Sequence, residues 1–377
     1  MLQIDHIYEF FYNSLFKDFD VHAFDQGVPT ESSYMVFNKI TGPRKILFYD
    51  QEPILPTISP IYMDYFNIPF GNIEEHRTKY PKLYEHILEG EQLDDYVKWY
   101  KTFVQKPFIV VNSEHSEYKD QLLNEYGYKD LYYFYHGFAA LDWYRGYRAL
   151  NYNKPVVKEY QFDYQSFNRI VTGDRAYRKT FVDTLRQKDL LAKGAVSYGV
   201  TDDPVQEERL VIDHPQLPGS ASADIPRGID AFWHVVTETV FYYNKQHLTE
   251  KIFKPIVSKQ PFMLLAAPGN LAYLKSYGFK TFDSVIDESY DTIQDDNERI
   301  DSVVKQLQWY TELDPKEKQD VITALEPIIE YNFNHFYGDF KHIIVNELLA
   351  NCQSMFKDVD YNDININYLK LAHALTN

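Results

Sequence analysis

The sequence lacks the features that mark secreted, disulfide-stapled or membrane-spanning proteins. Cys352 is its one cysteine in 377 residues, so an internal disulfide framework is excluded and a reducing compartment is expected. No run of about 18 apolar residues and no amino-terminal signal pattern is present, which predicts a soluble, cytoplasmic chain without a membrane span. Sequence repeats, low-complexity tracts and zinc-ligand clusters are also missing, which excludes repeat architectures and zinc-finger modules.

Positive charge is scarce as well: 38 Lys and Arg stand against 55 Asp and Glu, for a net charge of −17. A chain this acidic has no general basic surface for polyanions, which disfavours nucleic acid as a partner but leaves a local basic pocket open. Aromatic residues, in contrast, are abundant, with 33 Tyr and 26 Phe. Tyrosine faces can stack on sugars and bases, although many of these rings are expected in the cores of two domains of ordinary size.

The segment 231–274 predicts one strand–helix–strand unit of a parallel sheet. Ala231–Val236 is an apolar run typical of a buried strand, and Phe262–Ala266 is a second. Between them, from Thr249 onwards, apolar residues recur with helical spacing. Parallel strands need such a crossover helix, and ligands of parallel sheets bind where the strands end and the helices begin.

Three charged residues stand at such junctions: Glu238 follows the first strand, and Glu250 and Lys251 begin the helix. Their position indicates a ligand site. An acidic–basic pair in the first turn of a helix is also common on solvated surfaces, and Glu250 would favour the helix dipole without any ligand. The pattern alone leaves both interpretations open.

The same stretch resembles the donor-binding signature of the α1,3-fucosyltransferase family, in which a strand ends in Glu-Asn-Ser and a later Tyr-(Ile/Val)-Thr-Glu-Lys begins a helix. Residues 249–251 match the Thr-Glu-Lys, and Glu238 matches the first glutamate. This chain departs from the signature in having Thr239 and Val240 in place of Asn-Ser, and His247 in place of the tyrosine. The base and sugar specificity of the family is therefore not carried over.

The resemblance spans about residues 168–287 and implies inverting transfer of a sugar from a nucleoside-diphosphate sugar to a hydroxyl of a glycan or related acceptor. It implies that Glu250 holds the ribose hydroxyls, that Lys251 and an arginine hold the diphosphate, and that Glu238 bonds the sugar or ribose. Thr249 and His247 are expected beside the donor. Positive charge would stabilise the leaving diphosphate, so no metal or further cofactor is expected.

A second junction carries the arginine candidates. After a strand predicted over Tyr164–Val171, a turn leads into a helix over Arg175–Leu191 whose first turn carries Arg175 and Arg178. Cations at a helix amino terminus oppose its dipole unless an anion binds there, so an anion site and a surface basic cluster are the alternatives. By resemblance to the family, Arg178 is the best match to the arginine that meets the donor diphosphate, and Arg175 is the second.

The first half of the chain also alternates strands and helices, and its predicted strand ends carry three candidates for a general base, Glu52, Glu114 and His136. Glu52–Pro53 resembles a Glu-Ser-Pro of the family. The base must approach the sugar from the face opposite the diphosphate, and Glu52 is preferred for this role, with capping of a turn as the equal alternative. The predicted strands that precede these candidates cover 45–49, 108–111 and 131–135.

Two α/β halves, a polar linker over Asn151–Lys158 and a long helix over Pro315–Phe356 are typical of the GT-B fold. The predicted fold is thus α/β, with two Rossmann-like domains facing across a cleft. Residues 1–155 are the predicted acceptor and base domain, and residues 156–335 the nucleotide-sugar domain. Residues 336–377 are predicted to carry the terminal helix and tail back onto the first domain.

Two other functions stay open. One is a phage enzyme of the host cytoplasm that transfers sugar to a hydroxylated DNA base, against which the net charge counts. The other is a nucleotide-sugar-binding protein without catalysis. The acidic pairs Asp202–Asp203 and Asp295–Asp296 are interpreted as solvated charge, because no second set of metal ligands is visible, and turnover without a divalent metal is predicted.

Overall fold

The described part of the chain forms two parallel β-sheets, each in its own compact unit. A computed structural model describes residues 4–11, 15–16, 20–23, 45–51, 53, 109–126, 129–156, 159–168, 170–171, 173–197, 231–242 and 244–355. The first-sheet unit comprises Ile7–Tyr133 and Leu348–Tyr368, and the second-sheet unit comprises Met1–His6, Phe134–Glu347 and Leu369–Asn377. The mixed α/β class predicted from the sequence is confirmed. None of the helices in the described part of the chain combines the length and apolarity that crossing a membrane would require.

The first-sheet unit is built on short parallel strands. They are β1 (Asp20–Ala23), β2 (Lys45–Tyr49), β3 (Ile109–Asn112) and β4 (Lys129–Tyr132), paired in that order. Helix α1 (Ile4–Phe10) precedes the strands in the chain, and α2 (Glu117–Tyr126) lies between β3 and β4. Because these strands follow one another in chain order, their connections do not reverse direction within the described sheet.

The second sheet has such a reversal at its centre. Its strands are β5 (Phe162–Ser166), β6 (Gly194–Val196), β7 (Ala231–Thr237) and β8 (Phe262–Leu265), all parallel, in the spatial order β6-β5-β7-β8. The chain leaves β5 on one side to form β6 and returns on the other side to form β7. In open parallel sheets, ligands bind at such a switch point, outside the carboxyl ends of the strands.

Aromatic side chains form much of the core between the second sheet and its helices. Strand β7 is buried along its whole length, and the rings of Tyr160 and Tyr310 stack on Phe232 with centroids 5.5 and 5.4 Å away. Such rings bury large apolar areas, which accounts for part of the high aromatic content. The helices that follow β4 are α3 (Tyr135–Trp143), α4 (Tyr147–Asn151), α5 (Tyr177–Gln187), α6 (Phe253–Val257), α7 (Asn270–Ser276), α8 (Asp296–Glu312), α9 (Pro315–Tyr337) and α10 (Phe340–Met355).

Several local predictions are confirmed, but two strands end earlier than predicted. The strand expected over Tyr164–Val171 is β5, which ends at Ser166. Strand β2 has the predicted bounds, and the strand–helix–strand unit from β7 to β8 is present. The strand expected over Leu131–Tyr135 is wrong at its end, because β4 stops at Tyr132 and Tyr135 begins α3. The first eight residues of α3 are all buried, so the run shows no amphipathic period, and a fully buried helix cannot be told from a strand on that basis.

The single helix expected over Pro315–Phe356 is also wrong, because α9 ends at Tyr337 and α10 begins at Phe340. Gly338 ends the first of these helices. A Cβ added there would lie 2.8 Å from the carbonyl oxygen of Asn334, so the chain bends at the one residue type that fits the site.

The segment predicted as a linker is tied to the second-sheet unit by side-chain hydrogen bonds. The Asn151 amide donates to the Val257 carbonyl at 2.8 Å. The buried Lys259 ammonium donates to the carbonyls of Tyr152 and Lys154 at 3.1 and 3.0 Å. The compact units divide between Tyr133 and Phe134, whereas the boundary predicted from the sequence follows residue 155.

Glu347 is a mostly buried carboxyl on α10 in the second-sheet unit. The Tyr277 hydroxyl lies 3.2 and 3.0 Å from its two oxygens. Burial raises the pKa of this carboxyl to about 7, although the hydrogen bond from Tyr277 acts in the opposite direction. In the unfolded chain a glutamate ionises near its ordinary pKa of roughly 4.3. The folded state therefore loses stability as the pH rises from that value through 7.

Glu347→Gln removes this titration, so we expect the variant to become more stable relative to wild type as the pH rises. Between about pH 5.5 and 8.5 the relative gain in the free energy of unfolding should be about 1 kcal/mol, after allowance for the exposed part of the side chain. Urea unfolding of both proteins at both pH values measures it. The same difference at both pH values would show that the pKa of this carboxyl is ordinary.

Candidate active site

Buried polar side chains tie together the carboxyl ends of three neighbouring strands at the switch point. The Asn168 backbone N–H donates to the Ser197 hydroxyl at 2.8 Å, and its side-chain amide donates to the Ser197 carbonyl at 3.1 Å. The Thr237 hydroxyl donates to the Asn168 side-chain oxygen at 3.0 Å. The ends of β5, β6 and β7 are thereby fixed. This set was not predicted from the sequence, where its signal is polar residues directly at the ends of apolar runs.

Glu238 directly follows β7 and is fully buried, and its carboxylate accepts hydrogen bonds from neighbouring protein groups. Oε1 accepts the Thr249 backbone N–H at 3.1 Å, and Oε2 accepts the Thr249 hydroxyl at 2.6 Å and the Thr239 N–H at 3.1 Å. Thr249 in turn caps the short 3-10 turn Glu250–Ile252 that precedes α6. Glu238 therefore holds the start of the turn that carries the next two charged residues.

The Glu250 side chain is almost completely buried, with 5% of it exposed, and its carboxylate is ionised. Lys251 Nζ lies 3.3 Å from Oε1, and His136 Nδ1 lies 3.5 Å from Oε2. Burial alone would raise the pKa of the carboxyl, but Lys251, His136 and Lys254 together hold it well below its ordinary value. Glu250 is thus a charged acceptor at neutral pH, which is the form that binds sugar hydroxyls.

Lys251 is the more open member of this pair, with 31% of its side chain exposed. Its ammonium also donates to the hydroxyls of Thr239 and Thr249 at 3.2 and 3.0 Å. These contacts hold the charge at the first turn after β7. A partly exposed cation in this place is suited to bind an anion.

His247 is fixed from the neighbouring turn. Its backbone N–H donates to the Asn270 side chain at 3.0 Å, and the Asn270 amide donates to the carbonyls of Lys245 and Ala267 at 2.9 and 2.8 Å. The His247 ring stands at 90° to the ring of His136, with centroids 5.2 Å apart. Both histidines are buried, and His136 is the one that lies beside the Glu250 carboxylate.

His136 lies in the first turn of α3, not at a strand end, and in the same unit as Glu250. Gly137 follows it, and a Cβ added there would lie 3.0 Å from the rings of Phe134 and Phe340. The backbone at this glycine therefore approaches both rings too closely for a side chain to fit without a shift of the rings. At the other end of α3, the Tyr144 hydroxyl donates to the Glu250 carbonyl at 3.5 Å.

Arg178 is buried, and its guanidinium is engaged by the backbone. It donates to the Ile170 carbonyl at 3.0 Å and to the carbonyls of Thr237 and Glu238 at 2.9 and 3.2 Å. Arg178 therefore stabilises the carboxyl end of β7 from α5. This contact set favours a framework role over the diphosphate role predicted for it.

The guanidinium of Arg178 is thus occupied, and Arg175 is the other arginine predicted to bind the diphosphate. It lies in the 3-10 turn Gly173–Arg175 between β5 and α5, so the helix predicted to begin at Arg175 begins at Tyr177. Gly173 has a φ of 57°, which favours glycine. Within the described ranges, the partly exposed Arg175 side chain forms no hydrogen bond or ion pair.

No protein-family model, curated protein or solved structure matches this chain. The likeness to the α1,3-fucosyltransferases therefore rests on the sequence signature at Glu238 and residues 249–251.

The described candidates for the general base lie in different compact units. Glu114 lies in the first-sheet unit, buried at the end of β3, where its Oε1 accepts the Ser116 hydroxyl at 2.7 Å. His136 lies in the second-sheet unit. Glu52 lies outside the described residues, and its assignment as the base stays a prediction.

A further acidic centre lies at the carboxyl edge of the first sheet. Asp50 follows β2 and accepts the hydroxyls of Tyr8, at 3.0 Å, and of Tyr133 on Oδ2. The Ser113 hydroxyl donates to the Asp50 carbonyl at 2.7 Å. The tyrosine partners come from distant parts of the chain, so no local pattern signals them.

Of the two acidic pairs considered as metal ligands, one lies among the described residues. The Asp295 carboxylate caps α8 by accepting the N–H groups of Asn297 and Glu298 at 2.9 Å, whereas Asp202–Asp203 lie outside the described residues. Among the residues that are described, no group of three or more His, Cys, Asp or Glu side chains is arranged to hold a metal ion. Turnover without a divalent metal stays a prediction.

Proposed function

We propose that the protein is an inverting glycosyltransferase of GT-B organisation that uses a nucleoside-diphosphate sugar as donor. The observation that carries this proposal is the pairing of the ionised, almost completely buried carboxylate of Glu250 with the partly exposed ammonium of Lys251. The pair stands at the end of β7, beside the switch point of a parallel sheet, where nucleotides bind. The Thr-Glu-Lys signature supports the same assignment.

The side chains of the second-sheet unit fit the binding of a nucleoside diphosphate. Glu250 accepts the ribose hydroxyls, since an ionised carboxylate is a strong acceptor. Lys251 and Arg175 bind the diphosphate and stabilise the negative charge that develops on it as the sugar leaves. Glu238 and Thr249 act indirectly, by holding the turn that carries the first two residues.

Transfer also requires removal of a proton from the acceptor hydroxyl on the face of the sugar opposite the diphosphate. We assign this to a carboxylate of the first-sheet unit, with Glu52 preferred and Glu114 second. The acceptor is a glycan or a related hydroxyl compound. A carboxylate is a weak base in water, so its positioning against the hydroxyl must supply much of the rate.

Lys251→Ala is expected to weaken binding of the preferred nucleoside diphosphate about ten- to a hundredfold, because it removes a charge-assisted hydrogen bond. A thermal-shift screen of the common nucleoside diphosphates and their sugars identifies the ligand, and calorimetry gives the Kd. Lys275→Ala is the matched control, since Lys275 is a partly exposed lysine of the same unit that pairs with Asp283 and Glu288.

The proposal fails if no nucleoside diphosphate stabilises the protein, or if both lysine variants bind alike. Hydrolysis of the donor sugar in the absence of acceptor separates an enzyme from a protein that only binds the nucleotide. Binding of hydroxymethylated duplex DNA that weakens steeply with salt would instead indicate a DNA acceptor.

A further inference from the structure

Helix α3 contacts Glu250 through both its ends. His136 in its first turn lies 3.5 Å from the carboxylate, and Tyr144 just after its last residue donates to the backbone carbonyl. The His136 side chain is 9% exposed and that of Glu250 is 5% exposed. Burying an imidazole and a carboxylate costs free energy unless the two groups interact. Their contact therefore offsets the cost of burying both side chains.

The two oxygens of Glu250 have different neighbours. Oε1 faces Lys251 and Oε2 faces His136. A carboxylate oxygen has two acceptor positions, so each oxygen keeps one for a ligand. Two adjacent acceptors in one plane match two neighbouring hydroxyls, such as the 2′ and 3′ hydroxyls of a ribose.

Without His136 the carboxylate would be drawn to the lysines. The Thr249 cap holds the backbone of Glu250, so the side-chain torsions decide where the carboxylate points. Lys251 is in contact, and Lys254 is near enough to lower the pKa of the carboxyl. His136, in contrast, lies beside the second oxygen, Oε2, at 3.5 Å.

We propose that His136 is a positioning residue that orients Glu250 and thereby sets a preference for ribonucleoside over 2′-deoxyribonucleoside diphosphates. This inference rests on the proposed function. It assigns His136 a task apart from proton transfer, since His136 acts on the ligand only through Glu250.

The test compares the affinities of ADP, GDP, CDP and UDP with those of their 2′-deoxy forms by calorimetry. Wild type should prefer the ribose form of its nucleotide by about ten- to a hundredfold, the usual worth of a hydrogen bond to a charged group. His136→Leu should lose most of this ratio through weaker ribonucleotide binding, with the deoxynucleotide affinity unchanged. His136→Asn should restore the ratio, because its amide nitrogen occupies the place of Nδ1.

Asp142→Asn is the control on the same helix. Asp142 bonds the Ile4 N–H and Arg145 and does not contact Glu250, so the variant should keep the wild-type ratio. If thermal unfolding shows that His136→Leu does not fold, His136→Phe replaces it and keeps a ring against His247.

Retention of the full ribose preference by the leucine or phenylalanine variant would overturn the proposal, and so would a loss that His136→Asn does not restore. Wild type that binds ribose and deoxyribose forms equally would overturn it as well, while leaving nucleotide binding intact. Wild type that binds no nucleoside diphosphate would overturn the proposed function, and this inference with it.

Discussion

Arg178→Ala is expected to lower the free energy of unfolding by about 3–5 kcal/mol. The guanidinium is buried and serves three carbonyls, those of Ile170, Thr237 and Glu238. Alanine would leave these buried acceptors without their donor, and unsatisfied buried groups cost more than the hydrogen bonds they lose. Urea or thermal unfolding measures the change, and loss of nucleotide binding should follow only as far as the fold is lost.

Arg175→Ala is the matched control, three residues earlier in the chain. Its side chain has no hydrogen-bond partner among the described residues and is partly exposed, so stability should change by less than about 0.5 kcal/mol. Nucleoside-diphosphate affinity should fall about tenfold. The opposite pattern, with a stable Arg178→Ala that no longer binds the nucleotide, would return the diphosphate role to Arg178.

The sequence was sufficient where structure depends on neighbours along the chain. The apolar runs of β7 and β8 and the helical spacing between them are local patterns, and they predicted the strand–helix–strand unit. The position of Glu238, Glu250 and Lys251 at its junctions follows from the same patterns.

The parts that were not predicted depend on partners far away in the chain. The switch point needs the order of β5, β6 and β7, which no local pattern contains. The direction of the Arg178 side chain is decided by carbonyls about 60 residues later in the sequence. His136 was placed at a strand end of the first half because nothing in the run from Tyr135 to Trp143 shows the period of a helix.

Glu238→Gln is expected to cost about 2–4 kcal/mol of stability and to weaken nucleotide binding in addition. The carboxylate accepts three hydrogen bonds, from two groups of Thr249 and from the Thr239 N–H. A glutamine of the same shape offers one oxygen and points an NH₂ group at donors, so at least one buried N–H loses its acceptor. The Thr249 cap then loosens, and with it the turn that positions Glu250 and Lys251.

Glu288→Gln separates the two effects. Glu288 accepts the Thr281 hydroxyl and the Phe282 N–H, both at 2.6 Å, in the same unit, so glutamine should also destabilise the fold there. Its nucleoside-diphosphate affinity, measured at a temperature where both variants are folded, should match wild type. If Glu238→Gln then also binds normally, Glu238 stabilises the unit but does not orient the ligand-binding turn. A selective loss of affinity in Glu238→Gln would show that Glu238 must hold this turn in place for Glu250 and Lys251 to bind the ligand together.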